Sequence, residues 1–233
     1  MIHPSTTRGT THLASGIAVS VALALSLVTG GCAAKDPSSA SDGPAAEVKV
    51  IGGSDSAFKG SALDTPYVLP KATWTDLDGR VVRWPQDGLP KPVTVVFFGY
   101  THCPDVCATQ LADAAAAMRR LDPGVRTKVG LEFVTVDPVR DDEATMRTYL
   151  ARFDPSFIGL TGSLPTVERA ASALGVALTG TSTSTASGAG GYEVGHGAQL
   201  IGFGPDGRAA VVWLPGTAVG DLRDDLTTLA AGA

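Results

Sequence analysis

The clearest apolar segment of the chain is Val93-Thr94-Val95-Val96-Phe97-Phe98, which is followed by Gly99. A nearly continuous apolar run of this length is typical of a central strand covered on both faces. After the glycine, one stripe of side chains repeats at helical spacing: Cys103, Cys107, Leu111, Ala114, Met118 and Leu121. This pattern predicts a helix whose buried face begins with the two cysteines, with Pro104 in its first turn.

The rest of the pattern alternates strands and helices. After a strand at 129–136, it predicts a helix capped by Asp141 or Asp142, a short strand at 157–160, and a helix at 163–174. Extended structure resumes at 176–178, and a mobile loop rich in Thr, Ser and Gly is predicted for 179–191. A hairpin at 199–213 then precedes a last amphipathic helix, and residues 67–84 predict an earlier hairpin.

This order of elements predicts one α/β domain, with a crossover sheet that gains antiparallel strands at its end. The paired cysteines fall where the first central strand gives way to a helix. The arrangement therefore resembles a thioredoxin-like fold with an N-terminal β-hairpin and a late β-hairpin insertion.

The first 63 residues predict targeting and tethering segments. Residues 1–31 contain an apolar run at 13–28 that ends in small residues, which is typical of a secretion signal; the alternative is a membrane-spanning helix. The run ends at Thr29-Gly30-Gly31-Cys32, which resembles a bacterial lipobox, although Thr29 replaces the usual leucine. We expect a signal peptide at 1–31, lipidation of Cys32, a flexible tether at 32–63 and a folded domain at 64–233, held at the extracytoplasmic face of the bacterial membrane.

Charge and cysteine content exclude several classes of protein. The formal net charge is −5, so no cationic surface is available for nucleic acid. The chain has three cysteines, of which only Cys103 and Cys107 form a pair. A disulfide scaffold and a four-thiol zinc site within one chain are both excluded.

The cysteine pair predicts either a soft-metal site or a redox site. Residues i and i+4 of a helix share one face, and free N–H groups at a helix N-terminus favour a thiolate and lower its pKa. The structural alternative is two buried cysteines that act as small apolar side chains. Thiolates select Cu(I), zinc or iron–sulfur chemistry, and Cu(I) accepts two or three ligands.

A third ligand can come from two histidines of the folded region. His102 lies directly beside Cys103, so we expect its ring to point away from the pair. His196 lies between the predicted loop and the late hairpin, with Gly195 and Gly197 as neighbours. A lone histidine is more often structural, but the glycines favour an accessible position of close approach.

One long motif resembles the Sco/SenC family: Phe98-Gly99-Tyr100-Thr101-His102-Cys103-Pro104-Asp105-Val106-Cys107, followed by Val136-Asp137-Pro138 with Arg140-Asp141 and by a late histidine. The resemblance covers about residues 60–231. It implies a membrane-tethered protein that binds copper, as Cu(I) or Cu(II), through Cys103, Cys107 and His196. It also implies a partner, the copper-bearing subunit of cytochrome c oxidase, whose dinuclear copper centre such proteins help to assemble.

Three positions depart from the family pattern. Gly195 and Gly197 replace an acidic residue before the histidine and a serine after it, and Ala108 replaces a proline after the second cysteine. The glycines put the orientation of the imidazole in doubt, because partners of a metal ligand typically change metal affinity by about 10 to 100-fold. Asp137 is expected either near the site or as a cap of the loop after its strand.

Two functions fit this pattern. The first is a copper metallochaperone that delivers copper to the oxidase by ligand exchange. The second is a thiol–disulfide oxidoreductase that uses Cys103 and Cys107 to reduce cysteines of the oxidase copper site or of other exported proteins. The sequence disfavours the second, because thioredoxins place a cis-proline opposite the pair, whereas residues 166–204 contain no proline and include His196. A peroxidase on the same fold would need activating residues that the sequence does not identify.

Overall fold

The computed structural model describes residues 56–179 and 194–233. Ten strands and five helices follow one another in this part of the chain. The strands are β1 (Ser61–Val68), β2 (Ala72–Asp76), β3 (Val81–Trp84), β4 (Val93–Gly99), β5 (Val129–Thr135), β6 (Ile158–Thr161), β7 (Leu178–Thr179), β8 (Gly195–His196), β9 (Leu200–Phe203) and β10 (Arg208–Trp213). The helices are α1 (Val106–Arg119), α2 (Pro123–Arg126), α3 (Glu143–Leu150), α4 (Leu164–Ala173) and α5 (Val219–Ala230).

Eight of the strands form one mixed sheet in the order β1-β10-β9-β4-β5-β6-β2-β3. Strands β4, β5 and β6 are parallel, as α/β crossovers require, and β9 pairs antiparallel with β4. The predicted α/β fold is confirmed, including the hairpins β2–β3 and β9–β10. Strands β7 and β8 form a separate two-stranded sheet.

Strand β4 is the centre of the domain, and every one of its residues is buried. Its alternate side chains enter two apolar clusters, one on each face of the sheet. Val95 and Phe97 pack in the cluster that also holds apolar residues of α1, α3 and α5. Val96 and Phe98 pack in the opposite cluster, with α4 and the two tryptophans of the β2–β3 hairpin. The continuous apolar run is thus explained by two covered faces.

Ordered strand structure begins earlier than the sequence predicted. β1 starts at Ser61, within the segment 32–63 that was predicted to be a tether, and pairs antiparallel with β10. The carboxylate of Asp225 in α5 accepts hydrogen bonds from the backbone N–H groups of Lys59 and Gly60, at 2.7 and 2.8 Å, and from Trp213 Nε1 at 2.8 Å. A buried carboxylate in α5 therefore fixes the chain just before β1.

One buried acid interrupts the apolar interior of the sheet. Glu132 lies in the middle of β5 with only 2% of its surface exposed. Its Oε2 has no hydrogen-bond partner among the described residues. Burial raises the pKa of this carboxyl to about 8. Glu132 is therefore largely protonated at neutral pH, because burial penalises the charged form.

Several predicted segments lie outside the described residues. These are the signal peptide, Cys32, most of the tether, and residues 180–191 of the predicted loop. Across residues 56–179 and 194–233, none of the helices has the length and apolar character needed to span a bilayer.

Candidate metal centre

Helix α1 begins later than the cysteine spacing predicted. It starts at Val106, so Cys107 lies in its first turn but Cys103 precedes the helix by three residues. The backbone N–H of Cys103 instead donates to the carbonyl of Tyr100 at 3.2 Å, which closes a turn between β4 and α1. The prediction that both cysteines and Pro104 belong to the helix is wrong, and the turn brings the Cys103 sulfur towards that of Cys107.

Asp141 holds the turn that carries Cys103. Its carboxylate is fully buried and accepts hydrogen bonds from the backbone N–H and the hydroxyl of Thr101, at 2.9 and 2.6 Å. The hydroxyl of Thr135, at the end of β5, donates to the same carboxylate at 2.7 Å. Asp141 therefore ties the Cys103 turn to the carboxyl end of β5.

His196 is positioned by backbone pairing rather than by a long element. It lies in β8, where it pairs with Leu178 of β7. The N–H of Gly197 donates to the Ala177 carbonyl at 2.8 Å, and Nε2 of Gln110 in α1 donates to the Ala198 carbonyl at 2.8 Å. The second bond joins the helix of Cys107 directly to the segment of His196.

The structure brings Cys103, Cys107 and His196 together at the carboxyl end of β4. One ligand atom from each residue lies within 4.8 Å of the other two. Cys107 is buried, whereas Cys103 and His196 are half-buried. Both cysteines are free thiols. Two sulfurs and one imidazole nitrogen thus lie close enough to bind one metal ion. Their positions in the sequence do not show this proximity, because His196 is 89 residues away from Cys107.

The hydrogen bonds of His196 fix the proton on one of its nitrogens. Nδ1 lies 3.1 Å from the carbonyl oxygen of Gly197, which can only accept, so Nδ1 carries the proton. Nε2 then presents its lone pair to Cys107 Sγ at 3.2 Å, and the thiol donates to it. The carbonyl of Gly197 therefore orients the imidazole. The sequence had put this orientation in doubt, because Gly195 and Gly197 carry no polar side chain that could supply it.

Burial governs the protonation of the site. It raises the pKa of the Cys107 thiol, and it lowers the pKa of His196. The expectation of a lowered cysteine pKa at the helix N-terminus is wrong for Cys107, because the cost of burying the charge outweighs the helix dipole. A neutral thiol facing a neutral imidazole is the stable state of this site without metal.

Aromatic rings and one glycine shape the wall around the site. The rings of Tyr100 and Phe97 lie edge-on to the imidazole, with centroids 5.7 and 6.3 Å away. A Cβ at Gly99 would lie 3.0 Å from Cys107 Sγ and 2.8 Å from the Phe133 ring. Only glycine at this position allows the sulfur to approach the end of β4 so closely.

Other candidate residues lie apart from the three-ligand group. The His102 side chain is 53% exposed, and its Nδ1 lies 3.0 Å from the Thr101 hydroxyl. Asp137 is buried and bonded to Arg140, and its carbonyl accepts from the backbone N–H of Asp141 at 3.0 Å. Asp137 thus caps the loop after β5.

Sequence reasoning missed Asp141 and Gln110 as supports of the site. Asp141 was interpreted as a possible helix cap and as part of the family motif, and it is Asp142 whose side chain accepts from the N–H of Thr145 at the start of α3. Gln110 is buried in α1, and the other buried residues of this helix are apolar or cysteine. A single polar residue on the buried face of the helix was the sequence feature that could have indicated its role.

Comparisons with known proteins agree with this geometry. A family model described as SCO1/SenC matches residues 73–231. A putative copper-binding protein of Stutzerimonas stutzeri is 37% identical over 113 residues, which are 48% of this chain and 53% of that protein. The matched segment therefore spans about half of that relative.

Two solved structures resemble the domain over nearly their whole length. The solution structure of apo Sco1 from Thermus thermophilus is 34% identical, with a TM-score of 0.64, over 76% of this chain and 99% of that one. ScoI from Bradyrhizobium japonicum, solved with copper bound, is 31% identical, with a TM-score of 0.59, over 70% of this chain and 99% of that one.

Proposed function

The chain belongs to the SCO1/SenC family, and we propose that it is a copper metallochaperone whose ligands are Cys103, Cys107 and His196. The observation that carries the proposal is the convergence of two sulfurs and one imidazole nitrogen within 4.8 Å at the end of β4. Relatives described as binding copper support the choice of metal.

The donor set suits copper better than the alternatives. Soft thiolates favour Cu(I), which is content with two or three ligands, whereas a structural zinc ion takes four. Within residues 56–179 and 194–233, this is the only group of three or more cysteine, histidine or acidic side chains placed to share an ion. The imidazole also suits Cu(II), so the site can hold either oxidation state.

Delivery is proposed to proceed by ligand exchange at Cys103. This cysteine is half-buried and lies in a turn, while Cys107 is buried in α1. An incoming client thiol can reach the copper beside Cys103 before it displaces Cys107. The proposed client is the copper-bearing subunit of cytochrome c oxidase, and the proposed location is the extracytoplasmic membrane face, with Cys32 as the lipid anchor.

One observation favours thiol–disulfide exchange as a second function. Both cysteines are free, and their sulfurs lie within the same 4.8 Å. A disulfide needs the sulfurs about 2 Å apart, which a small movement of the Cys103 turn can supply. The raised pKa of Cys107 makes Cys103 the attacking group in such a reaction, because the thiolate is the nucleophile.

Titration of the reduced full chain with Cu(I) tests the metallochaperone. We expect one copper per chain, and Cys103→Ser or Cys107→Ser should abolish tight binding. His196→Ala should weaken Cu(I) binding and impair Cu(II) binding most. His102→Ala is the matched control, because this exposed histidine lies outside the ligand group. Unchanged stoichiometry in both cysteine variants would exclude the proposed site.

A transfer assay separates the two functions. Copper-loaded protein is mixed with the reduced copper-bearing subunit of the oxidase, and the metal-free reduced protein is mixed with the same subunit in its disulfide form. A chaperone moves copper in the first mixture. A reductase opens the client disulfide in the second mixture, even with His196→Ala.

A further inference from the structure

An open groove lies beside the turn that carries Cys103. It encloses about 470 Å³, and it is lined on one side by Thr101 and His102, the two residues directly before Cys103. Cys103 is the half-buried sulfur of the metal centre, whereas Cys107 is buried. A polypeptide whose thiol approaches Cys103 therefore has its neighbouring residues at this groove.

One face of α3 forms the other side of the groove. Three of the lining residues, Ala144, Thr148 and Arg152, are spaced four apart in the chain, and residues at this spacing share a helix face. α3 contains the first two, and Arg152 follows shortly after the helix ends at Leu150. At about 1.5 Å per residue, the groove runs on the order of 10 Å along this face. An extended peptide covers that length with about three or four residues.

Arg152 places a positive charge at the end of the groove away from the Cys103 turn. Asp141, which holds Thr101, lies just before α3, so the start of the helix is near the turn and Arg152 is at the far end. The guanidinium carbon of Arg152 lies 5.0 Å from the centre of the Tyr149 ring and 5.9 Å from that of Phe153. Such contacts hold the planar guanidinium in place without neutralising its charge.

The protein itself supplies no carboxylate to this guanidinium. None of the residues that line the groove is acidic. Asp154, the acidic residue nearest in the chain, pairs with Arg126 at 2.9 Å. Across the described ranges, 56–179 and 194–233, Arg152 forms no ion pair with an acidic side chain. An ordered guanidinium favours a carboxylate, because its fork of N–H donors matches the two oxygens.

We propose that this groove is the docking site of the client, and that it takes an extended segment whose carboxylate lies about four residues from the exchanging thiol. The inference rests on the proposed function, in which a client thiol first reaches the metal centre at Cys103. The segment contacts the protein at both ends of the groove, with its sulfur at Cys103 and its carboxylate at Arg152. This double contact speeds thiol exchange, because it orients the two sulfurs for reaction.

Thiol exchange without copper tests the groove on the full reduced chain. The probe is a nine-residue peptide with a central cysteine, activated as a mixed disulfide with thionitrobenzoate, and with a glutamate four residues away on each side. The Cys103 thiolate attacks the peptide sulfur, the bond from that sulfur to thionitrobenzoate breaks, and the coloured thionitrobenzoate anion leaves. The comparison peptide carries glutamine in place of both glutamates. Cys103→Ser gives the background from the other thiols.

The wild type should react about three- to fivefold faster with the acidic peptide than with the neutral one, as expected for one exposed ion pair. Arg152→Gln should react equally fast with both peptides. Arg208→Gln is the matched control and should keep the preference, because it removes the same charge from an exposed position at the start of β10. That position lies at the opposite end of the sheet from the metal centre. Salt at about 1 M should reduce the wild-type preference.

Three results would overturn the inference: a wild type without preference, a preference that survives in Arg152→Gln, or an equal loss in Arg208→Gln. Self-association of the chain that Arg152→Gln abolishes would assign the groove to a second copy instead of a client. The peptide reaction involves no metal, so it is independent of the Cu(I) titration. If the preference depends on Arg152 but no copper binds, the groove stands and the metallochaperone fails. If copper binds without any preference, the copper function stands and this inference fails.

Discussion

Replacing Glu132 by glutamine should make the protein more stable, and increasingly so as the pH rises. Burial raises the pKa of Glu132 from 4.5 to about 8. At about 1.4 kcal/mol per pKa unit, ionising this side chain inside the fold costs roughly 5 kcal/mol. The pKa of Glu132 is higher in the folded protein than in the unfolded one. Its contribution to the free energy of unfolding is therefore fully present below pH 4.5 and is lost as the pH rises towards 8.

Urea denaturation of the wild type and Glu132→Gln, at about pH 5 and again above pH 8, measures this effect. The protein is kept reduced and free of metal, so that only protonation changes. The two proteins should differ little at the lower pH, and the variant should gain several kcal/mol over the wild type at the higher pH. Glu168→Gln is the control, since Glu168 is exposed on α4.

A stability difference between Glu132→Gln and the wild type that is the same at both pH values would refute the argument. It would mean that the carboxyl finds solvent or a partner on ionisation. A wild type that is instead stabilised relative to the variant at high pH would mean that the carboxylate is paired in the fold. The wild type and Glu132→Gln share every other titrating group, so those contributions cancel in their stability difference, and the control shows what the loss of an exposed carboxylate does by itself.

Three further substitutions test the supports of the candidate metal centre and of the fold. Asp141→Ala leaves the backbone N–H of Thr101 and the buried hydroxyl of Thr135 without their acceptor, so it should cost roughly 3 kcal/mol in urea denaturation and weaken Cu(I) binding in chelator competition. Gly195→Ala places a Cβ 2.2 Å from the Thr179 hydroxyl, which should shift β8 and weaken Cu(II) binding about tenfold; adding Thr179→Ala should restore it. Asp225→Ala should cost about 3 kcal/mol and speed proteolysis just before β1, and equal cleavage rates would contradict its role.

The fold was predictable where the pattern of the chain is local. The apolar run of β4 and the helical stripe after it need only a few neighbouring residues to be recognised. The turns of both hairpins are equally local, and each contains a glycine with positive φ, Gly79 or Gly207. These elements formed as predicted, except that α1 begins at Val106 and leaves Cys103 and Pro104 outside the helix.

The details of the site depend on distant contacts, and the sequence could not supply them. The start of α1 is set by the turn that Asp141 holds from 40 residues away. β1 has no regular alternation of buried residues and becomes a strand by pairing with β10. The protonation of Cys107 depends on its burial beneath the end of β4, which no local pattern records.

The carbonyl of Gly197 that orients the imidazole belongs to the main chain, and this has a consequence for mutagenesis and for molecular evolution. Every amino acid carries the same carbonyl, so no side-chain truncation removes this acceptor, and a substitution at residue 197 acts on it only by displacing the backbone, through the clash of a new Cβ with the Gln199 side chain. The contact becomes visible only when the backbone itself is altered. Replacing the amide between residues 197 and 198 with an ester would weaken the acceptor while leaving every side chain in place.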